Sequence, residues 1–252
     1  MSKSKVCSLI TIYDHPDRIR DVVAGLFPLG LPCLIVDDGS AEPTRKALEQ
    51  VKEAFPHVEV LVRARNGGRG AALKTGYRWA HAQGFTHALQ LDADGQHDPA
   101  EAPALLEASR RDPDALVLGD PVFDDSAPRS RLYGRWISRF WVWIDTWSFD
   151  VHDPLCGMRC VPLAPTIEML DRVRCGDRMD FDPELTVRLM WLGVPVVNVP
   201  VHVRYFEDGI SHFHLVRDNV RLSLRYARLF FEMLARAPRR LVRAVRIRRA
   251  AP

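Results

Sequence analysis

Asp92 and Asp94 stand two residues apart, directly after the apolar run His87–Leu91. On a strand that spacing turns both carboxylates to one side. Two acids so close repel, and one keeps its proton unless a cation lies between them. A divalent ion removes that penalty, and hard oxygen ligands suit Mg2+ or Mn2+, which bind one or two carboxylates plus substrate phosphates. Gln96, two residues on, adds an amide oxygen. The competing description is a solvated Asp-rich turn in which Asp98 caps the next helix at Pro99; the position after a buried strand favours metal. A second acidic pair, Asp37 and Asp38, follows the apolar run Cys33–Val36. Carboxylates there can accept from a base N–H or from ribose hydroxyls, or they can simply form the Asx turn that Asp-Gly-Ser favours. The third feature is the loop Asn66-Gly67-Gly68-Arg69-Gly70-Ala71-Ala72, which opens a helix. Such a loop can aim backbone N–H groups and the helix dipole at an anion. It lacks the Lys-Ser/Thr end of a phosphate-binding P-loop, and close helix–sheet packing also accounts for its glycines.

The elements that must position these residues alternate in type. Strands are predicted at 6–12, 33–36, 58–62, 87–91 and 115–118, and helices at 16–26, 42–54, 69–82 and 99–110. This alternation predicts an α/β fold of βαβ units around a largely parallel sheet. Ligands bind such sheets at the carboxyl ends of the strands, where both acidic pairs fall. Beyond residue 120 the pattern changes. Residues 129–149 hold Trp136, Trp141, Trp143 and Trp147 with Phe140 and Phe149, interleaved with Arg129, Arg131, Arg135 and Arg139. A turn at 156–159, a helix near 184–192, a strand at 194–203 and a long Arg-rich helix at about 213–236 follow. No internal repeat or long linker divides the chain, so residues 1–235 read as one domain and 236–252 as a tail.

Composition excludes several classes. The chain has 252 residues, 47% hydrophobic and 27% charged, with a net charge of +3, which rules out collagen-like and wholly disordered chains. The tail carries seven Arg and no acid, so the body is −4 and the tail +7. That is not the uniformly basic surface of a nucleic-acid binder, and no nucleic-acid partner is expected. Five cysteines without zinc-ligand spacing point to a reducing, cytoplasmic setting. No signal peptide or spanning helix is expected. The Trp-rich segment and the Arg-rich C-terminal part suit an anionic membrane surface. Arg217, Arg221, Arg225 and Arg228 share one helical face, and Leu222, Leu229, Phe230 and Met233 supply apolar surface. The alternative places the Trp residues in the core and leaves the tail disordered.

Taken in order, these motifs resemble a known family. The series runs from Tyr13 through Val36-Asp37-Asp38-Gly39-Ser40, the loop 66–76, and Leu91-Asp92-Ala93-Asp94-Gly95-Gln96-His97. Asp153-Pro154-Leu155-Cys156-Gly157-Met158-Arg159, Asp182-Pro183-Glu184, Val199-Pro200-Val201 and Gly209-Ile210-Ser211 complete it. It is similar, over roughly residues 6–212, to the family 2 glycosyltransferases of the GT-A fold, and within them to the dolichyl-phosphate mannosyltransferase-like branch. The resemblance implies a Rossmann-like α/β sheet and an inverting, metal-dependent transferase that uses a UDP- or GDP-linked sugar. It implies that Asp37 and Asp38 meet base and ribose, with Tyr13, Asn66, Arg69 and Asp92 also on the nucleotide. Asp92, Asp94 and Gln96 match the metal side, and the metal is Mn2+ or Mg2+. Asp182 and Glu184 match the acidic motif where sugar-acceptor enzymes keep their base, and Arg159 lies in a turn near the reacting sugar. His212 stands where the family keeps a Lys on the acceptor-phosphate side, and Arg159 and Arg204 are further cations that can position an acceptor phosphate; the implied acceptor is a polyprenyl phosphate, a glycolipid or a hydroxyl compound, reached from the inner face of the membrane. Three positions depart from the family pattern: the early Pro and Asn are Thr11 and Asp14 here, and the usual Lys is His212.

Two other descriptions compete. A sugar-1-phosphate nucleotidyltransferase also combines an α/β fold, metal and nucleotide, but carries a basic glycine-rich signature after the first strand, where this chain has Tyr13-Asp14-His15-Pro16. A non-catalytic nucleotide or membrane-surface binder leaves the acids at two strand ends unexplained.

Overall fold

A computed structural model of the chain describes residues 4–123, 129–204 and 215–250, with 129–131, 215–217 and 237–250 described by backbone alone. Seven strands form one sheet: β1 (Val6–Ile12), β2 (Cys33–Asp37), β3 (Val58–Val62), β4 (His87–Asp92), β5 (Leu116–Phe123), β6 (Arg159–Pro162) and β7 (Val196–Val203). Their order is β3-β2-β1-β4-β6-β5-β7. All pairings are parallel except those of β6, which runs against both β4 and β5.

β1 and β2 are buried on both faces, as near-continuous apolar runs in a parallel sheet require. Their alternate residues feed two cores. Leu9 and Leu34 join Leu73, Tyr77 and Phe181 on one face. Ile10 and Ile35 join Ile19, Val23, Leu91 and Leu105 on the other. The covering helices are α1 (Ile19–Leu26), α2 (Glu42–Ala54), α3 (Arg69–Ala82), α4 (Ala102–Arg111), α5 (Arg129–Thr146), α6 (Leu163–Arg172), α7 (Phe181–Trp191) and α8 (Leu215–Ala250).

Most predicted elements stand within a few residues of their expected bounds, and the deviations have local causes. The helix expected from Pro99 starts with a 3-10 turn, Pro99–Glu101, capped by Asp98 at 2.9 Å from the Ala100 N–H. β5 continues to Phe123 through Pro121, which the sequence ends at 118. β6 pairs with it only at Val117 and Leu118, so among the described residues no strand flanks Pro121 on that side. The last helix, expected to stop near Arg236, runs on to Ala250 through the Arg-rich tail.

The C-terminal half needs larger corrections. The Trp-rich segment is helix α5, and its Trp residues divide: Trp141 packs on Tyr226 and Phe230 of α8, whereas Trp136 and Trp147 are exposed. Leu222, Leu229 and Met233, expected to offer apolar surface, are buried. On the expected Arg face of α8, Arg225 turns inward to Asp180 and Glu184, whereas Arg221 and Arg228 stay 39% and 54% exposed and pair along their own helix with Asp218 and Glu232. Arg225 is thereby withdrawn from the expected lipid-facing row. The Arg217 side chain lies outside the described residues.

Candidate active site

Strand register brings the predicted residues to one edge. Ile12 pairs with Asp37, Asp37 with Val62, and Thr11 with Asp92, so the carboxyl ends of β1, β2, β3 and β4 lie side by side. Asp14 adopts a left-handed conformation (φ 50), which Asp tolerates better than most residues. Its backbone N–H donates to Ser40 Oγ at 3.0 Å and its carboxylate accepts from the Ala41 N–H at 2.8 Å. That latch ties the β1 loop to the β2 loop and gives the Asn-to-Asp departure a structural use. Asp14 also lifts the pKa of the adjacent Tyr13 phenol.

The two neighbouring acids have different surroundings. Asp37 is buried; Oδ1 accepts from the Ser40 N–H at 2.9 Å, and Oδ2 has no partner among the described residues. Asp38 accepts from the Gly67 and Gly68 N–H groups, the latter at 2.7 Å, and from Arg63. The glycine-rich loop therefore directs these two donors at a resident carboxylate, and half-buried Asn66 sits at the loop's start. The loop's glycines also serve packing: a Cβ on Gly70 would lie 2.4 Å from Phe181 Cβ.

At the end of β4, Asp92 Oδ1 accepts from Arg69 Nε at 2.8 Å, with Nη2 at 2.7 Å. The same guanidinium pairs through Nη1 with Asp182, at the start of α7. Burial alone would raise the Asp92 pKa, but Arg69, with His97 and Arg159 behind it, holds the carboxyl below its ordinary value. Asp94 Oδ1 accepts from the Gln96 N–H at 3.0 Å. The Gln96 carbonyl accepts from the Arg204 N–H at 3.0 Å, and His97 bridges to Val203, so the end of β7 delivers Arg204 to the metal-side segment. His212 lies outside the described residues.

On the opposite wall, the loop 153–158 ends in Arg159, which is fully buried. Its Nε and Nη2 donate to the Cys156 carbonyl, Nη2 also donates to Pro154, and Nη1 lies 3.5 Å from Asp182 Oδ1. Asp182 thus sits between two guanidiniums. Glu184 is fully buried and held by Arg188 Nε at 2.7 Å, Arg225 at 3.1 Å and the Gly176 N–H at 2.8 Å. The structure brings Asp92, Arg69, Asp182 and Arg159 into one contiguous group and assigns Glu184 to a separate one, the junction of α7 and α8.

Three residues of the site escape a reading by spacing. Gly157 lies against Asp92: a Cβ there would stand 2.0 Å from Asp92 Oδ2 and 3.3 Å from His97 Nε2. His97 is buried, and burial pushes it down to about 4, so it is neutral at pH 7. Arg135 of α5 pairs with Asp153 at 2.8 Å and anchors the loop. His97 directly follows the acidic motif, which was its one local signal; Gly157 and Arg135 act across more than sixty and nearly twenty residues.

Residues 8–163 match the family described as Glycosyl transferase family 2. The chain belongs to that family. This glycosyltransferase is 30% identical over 199 residues to undecaprenyl-phosphate mannosyltransferase of Micrococcus luteus, covering 77% of this chain and 78% of the relative. It is 29% identical over 188 residues to polyprenol monophosphomannose synthase of Mycolicibacterium smegmatis, covering 71% and 68%. In fold it is similar to glucosyl-3-phosphoglycerate synthase of Mycobacterium tuberculosis, solved with Mn2+, UDP-glucose and phosphoglyceric acid (TM-score 0.61, 18% identity, 92% of this chain and 79% of the other). It is likewise similar to a mannosyltransferase of Pyrobaculum calidifontis, solved with GDP-mannose and Mn2+ (TM-score 0.58, 17% identity, 95% and 65%). The mostly parallel α/β sheet is the GT-A architecture of these transferases.

The residues of this family 2 enzyme fit a divalent ion of the kind those two structures hold. Asp92 and Asp94 offer carboxylate oxygens at one strand end, and the missing Cβ of Gly157 lets Asp92 Oδ2 take its present position there. Among the described residues no three His, Cys, Asp or Glu side chains gather into a closed metal cage. An ion here would complete its shell with substrate oxygens and water, the usual habit of Mg2+.

Proposed function

We propose that the protein transfers a hexose from a UDP- or GDP-linked sugar to a polyprenyl phosphate, with inversion at the anomeric carbon, Mn2+ or Mg2+ as cofactor, and a membrane surface as its workplace. The acceptor class follows the names of the two bacterial relatives. One observation carries it: neither acid of the acceptor motif is available as a base. Asp182 is paired with Arg69 and Arg159, and Glu184 is enclosed by Arg188, Arg225 and a backbone N–H. A hydroxyl acceptor needs a proton removed; an anionic phosphate does not.

A divalent ion held by Asp92 and Asp94, with Gln96 beside them, would offset the charge that grows on the departing diphosphate. The chain's residues do the rest. Tyr13, Asp37, Asp38 and Asn66 line the edge that receives base and ribose, and Arg69 offers a cation toward the phosphates. An acceptor phosphate oxygen attacks C1 opposite the leaving group. The new C1–O bond forms as the bond to the diphosphate breaks, and its electron pair leaves with the nucleotide. Arg204 and His212 hold the incoming phosphate. Arg159 and Glu184 are positioning residues: the first orders the loop 153–158 and Asp182, the second fixes α7 on α8.

Residues 1–235 would form the catalytic domain, with the Arg-rich stretch 236–252 on anionic lipid. On α5, Tyr133, Trp136, Ile137 and Phe140 are exposed at helical spacing, with Trp136 and Phe140 stacked. Such a stripe suits the lipid–water interface. Five free, buried cysteines support a reducing compartment and hence the cytoplasmic face. The deciding experiment offers UDP- and GDP-sugars with Mn2+ to undecaprenyl phosphate and, in parallel, to undecaprenol. Glycosylation of the phosphate alone is expected; transfer to the alcohol would overturn the phosphate assignment.

A further inference from the structure

We propose that Arg69 is a counter-cation built into the donor site, competing with the divalent ion for Asp92 and releasing it only when the nucleotide takes the guanidinium over. The inference rests on the metal assignment of the preceding section and adds to it a device in this chain. The guanidinium is largely buried and spans two acids, with Nε and Nη2 at 2.8 and 2.7 Å from Asp92 Oδ1 and Nη1 on Asp182. Arg159 supplies the second cation, 3.5 Å from Asp182. Two carboxylates and two guanidiniums balance, so the pair of acids is stable without a metal.

The placement depends on close packing. Arg69 is the first residue of α3, and the missing Cβ of Gly70 lets that helix end press on Phe181, the first residue of α7. One side chain can then reach both the β4 end and Asp182. A divalent ion arriving alone meets a cation already bound to its ligand, and like charges in a poorly hydrated site repel strongly. A nucleotide diphosphate changes the balance: its oxygens give the guanidinium a bidentate partner and add ligands to the ion. Metal and nucleotide therefore bind with positive coupling, and by reciprocity each tightens the other equally. When it leaves Asp92 for the diphosphate, Asp182 stays paired with Arg159.

The test measures Mn2+ binding to the full chain without turnover, from the electron paramagnetic resonance signal of the free ion. Without nucleotide, Arg69→Met is expected to bind Mn2+ about tenfold more tightly than the parent, within the usual range of coupling between sites. GDP or UDP should tighten Mn2+ binding more in the parent than in the variant. Unchanged or weaker binding by nucleotide-free Arg69→Met would overturn the proposal. If that variant does not fold, Arg69→Lys decides: it keeps the charge but loses the fork, so tighter Mn2+ binding supports the competition and equal or weaker binding refutes it. Asp94→Asn tests the underlying assignment separately. Mn2+ binding that Asp94→Asn leaves untouched, with and without nucleotide, means the ion is held elsewhere, and both the assignment and the proposal fall. Loss of binding in Asp94→Asn together with no effect of Arg69→Met removes the proposal alone.

Discussion

At Gly157 the site has no space for a single extra carbon. A Cβ would sit 2.0 Å from Asp92 Oδ2, far inside contact distance, so the carboxylate or the loop must move. Misplacing a reacting group by about 1 Å can cost on the order of 100-fold in rate. Gly157→Ala is expected to lower transfer by about that factor while circular dichroism and urea unfolding stay close to the parent. A variant with near-parent kcat would show that Asp92 does not need its present position. The same scale separates acids that look alike in sequence. Asp182 and Glu184 are both in the first turn of α7, where the helix dipole favours acids. Period 3.6 turns residues two apart to different faces, so one meets Arg69 and the other Arg188 and Arg225. Spacing alone made them equal candidates.

Between elements, the contact of α3 with α7 decides the geometry. Gly70→Ala would force its Cβ to 2.4 Å from Phe181 Cβ. Overpacking of this kind costs about 1–3 kcal/mol, partly offset by the roughly 1 kcal/mol better helix propensity of Ala. Net destabilisation of up to about 2 kcal/mol is expected in urea, with an unchanged slope. Gly134 on α5 is the contrast: no described atom lies within 4 Å of its would-be Cβ. Gly134→Ala should stabilise by up to about 1 kcal/mol. If both substitutions stabilise, α3 and α7 are not in close contact. α5 itself was the least legible element. Its aromatic and β-branched residues carry no helix preference, and its apolar residues surround much of the helix, blurring the period that exposed α3 and α4.

For the whole molecule, Asp145 reports how the C-terminal helices hold together. It is buried on α5, both carboxylate oxygens lack a partner among the described residues, and its carbonyl accepts from Trp191 Nε1 of α7 at 2.8 Å. Burial raises its pKa to about 7. The unfolded chain loses this proton near pH 4 and the folded chain near 7, so stability falls as pH rises between those values and stays lowered above them. Asp145→Asn is expected to gain on the order of 1–3 kcal/mol over the parent at pH 8 and nothing near pH 3.5, as thermal unfolding across that range would show. A gap independent of pH would mean the carboxyl ionises normally. Membrane association belongs to this scale too, because Arg225 of the α8 row turns to Asp180 and Glu184 while Arg221 and Arg228 stay at the surface. Lipid binding then rests on the α5 stripe, on these two Arg residues and on residues 236–252. Full-length protein should sediment with phosphatidylglycerol liposomes, and a 1–235 chain markedly less; equal, negligible sedimentation of both would remove the membrane assignment.

The sequence by itself determined the alternation of strands and helices, the acids at the ends of β2 and β4, and the order of motifs that marks a family 2 glycosyltransferase. These are local properties: apolar period, turn chemistry and short spacings are set by neighbours along the chain. Tertiary structure alone decided which acid faces which cation. Arg69 reaches Asp182 across 113 positions, and Arg225 reaches Glu184 across 41. Such pairs leave no periodic trace, because the distance between them is closed by the packing of α3, α7 and α8 and not by the chain that connects them.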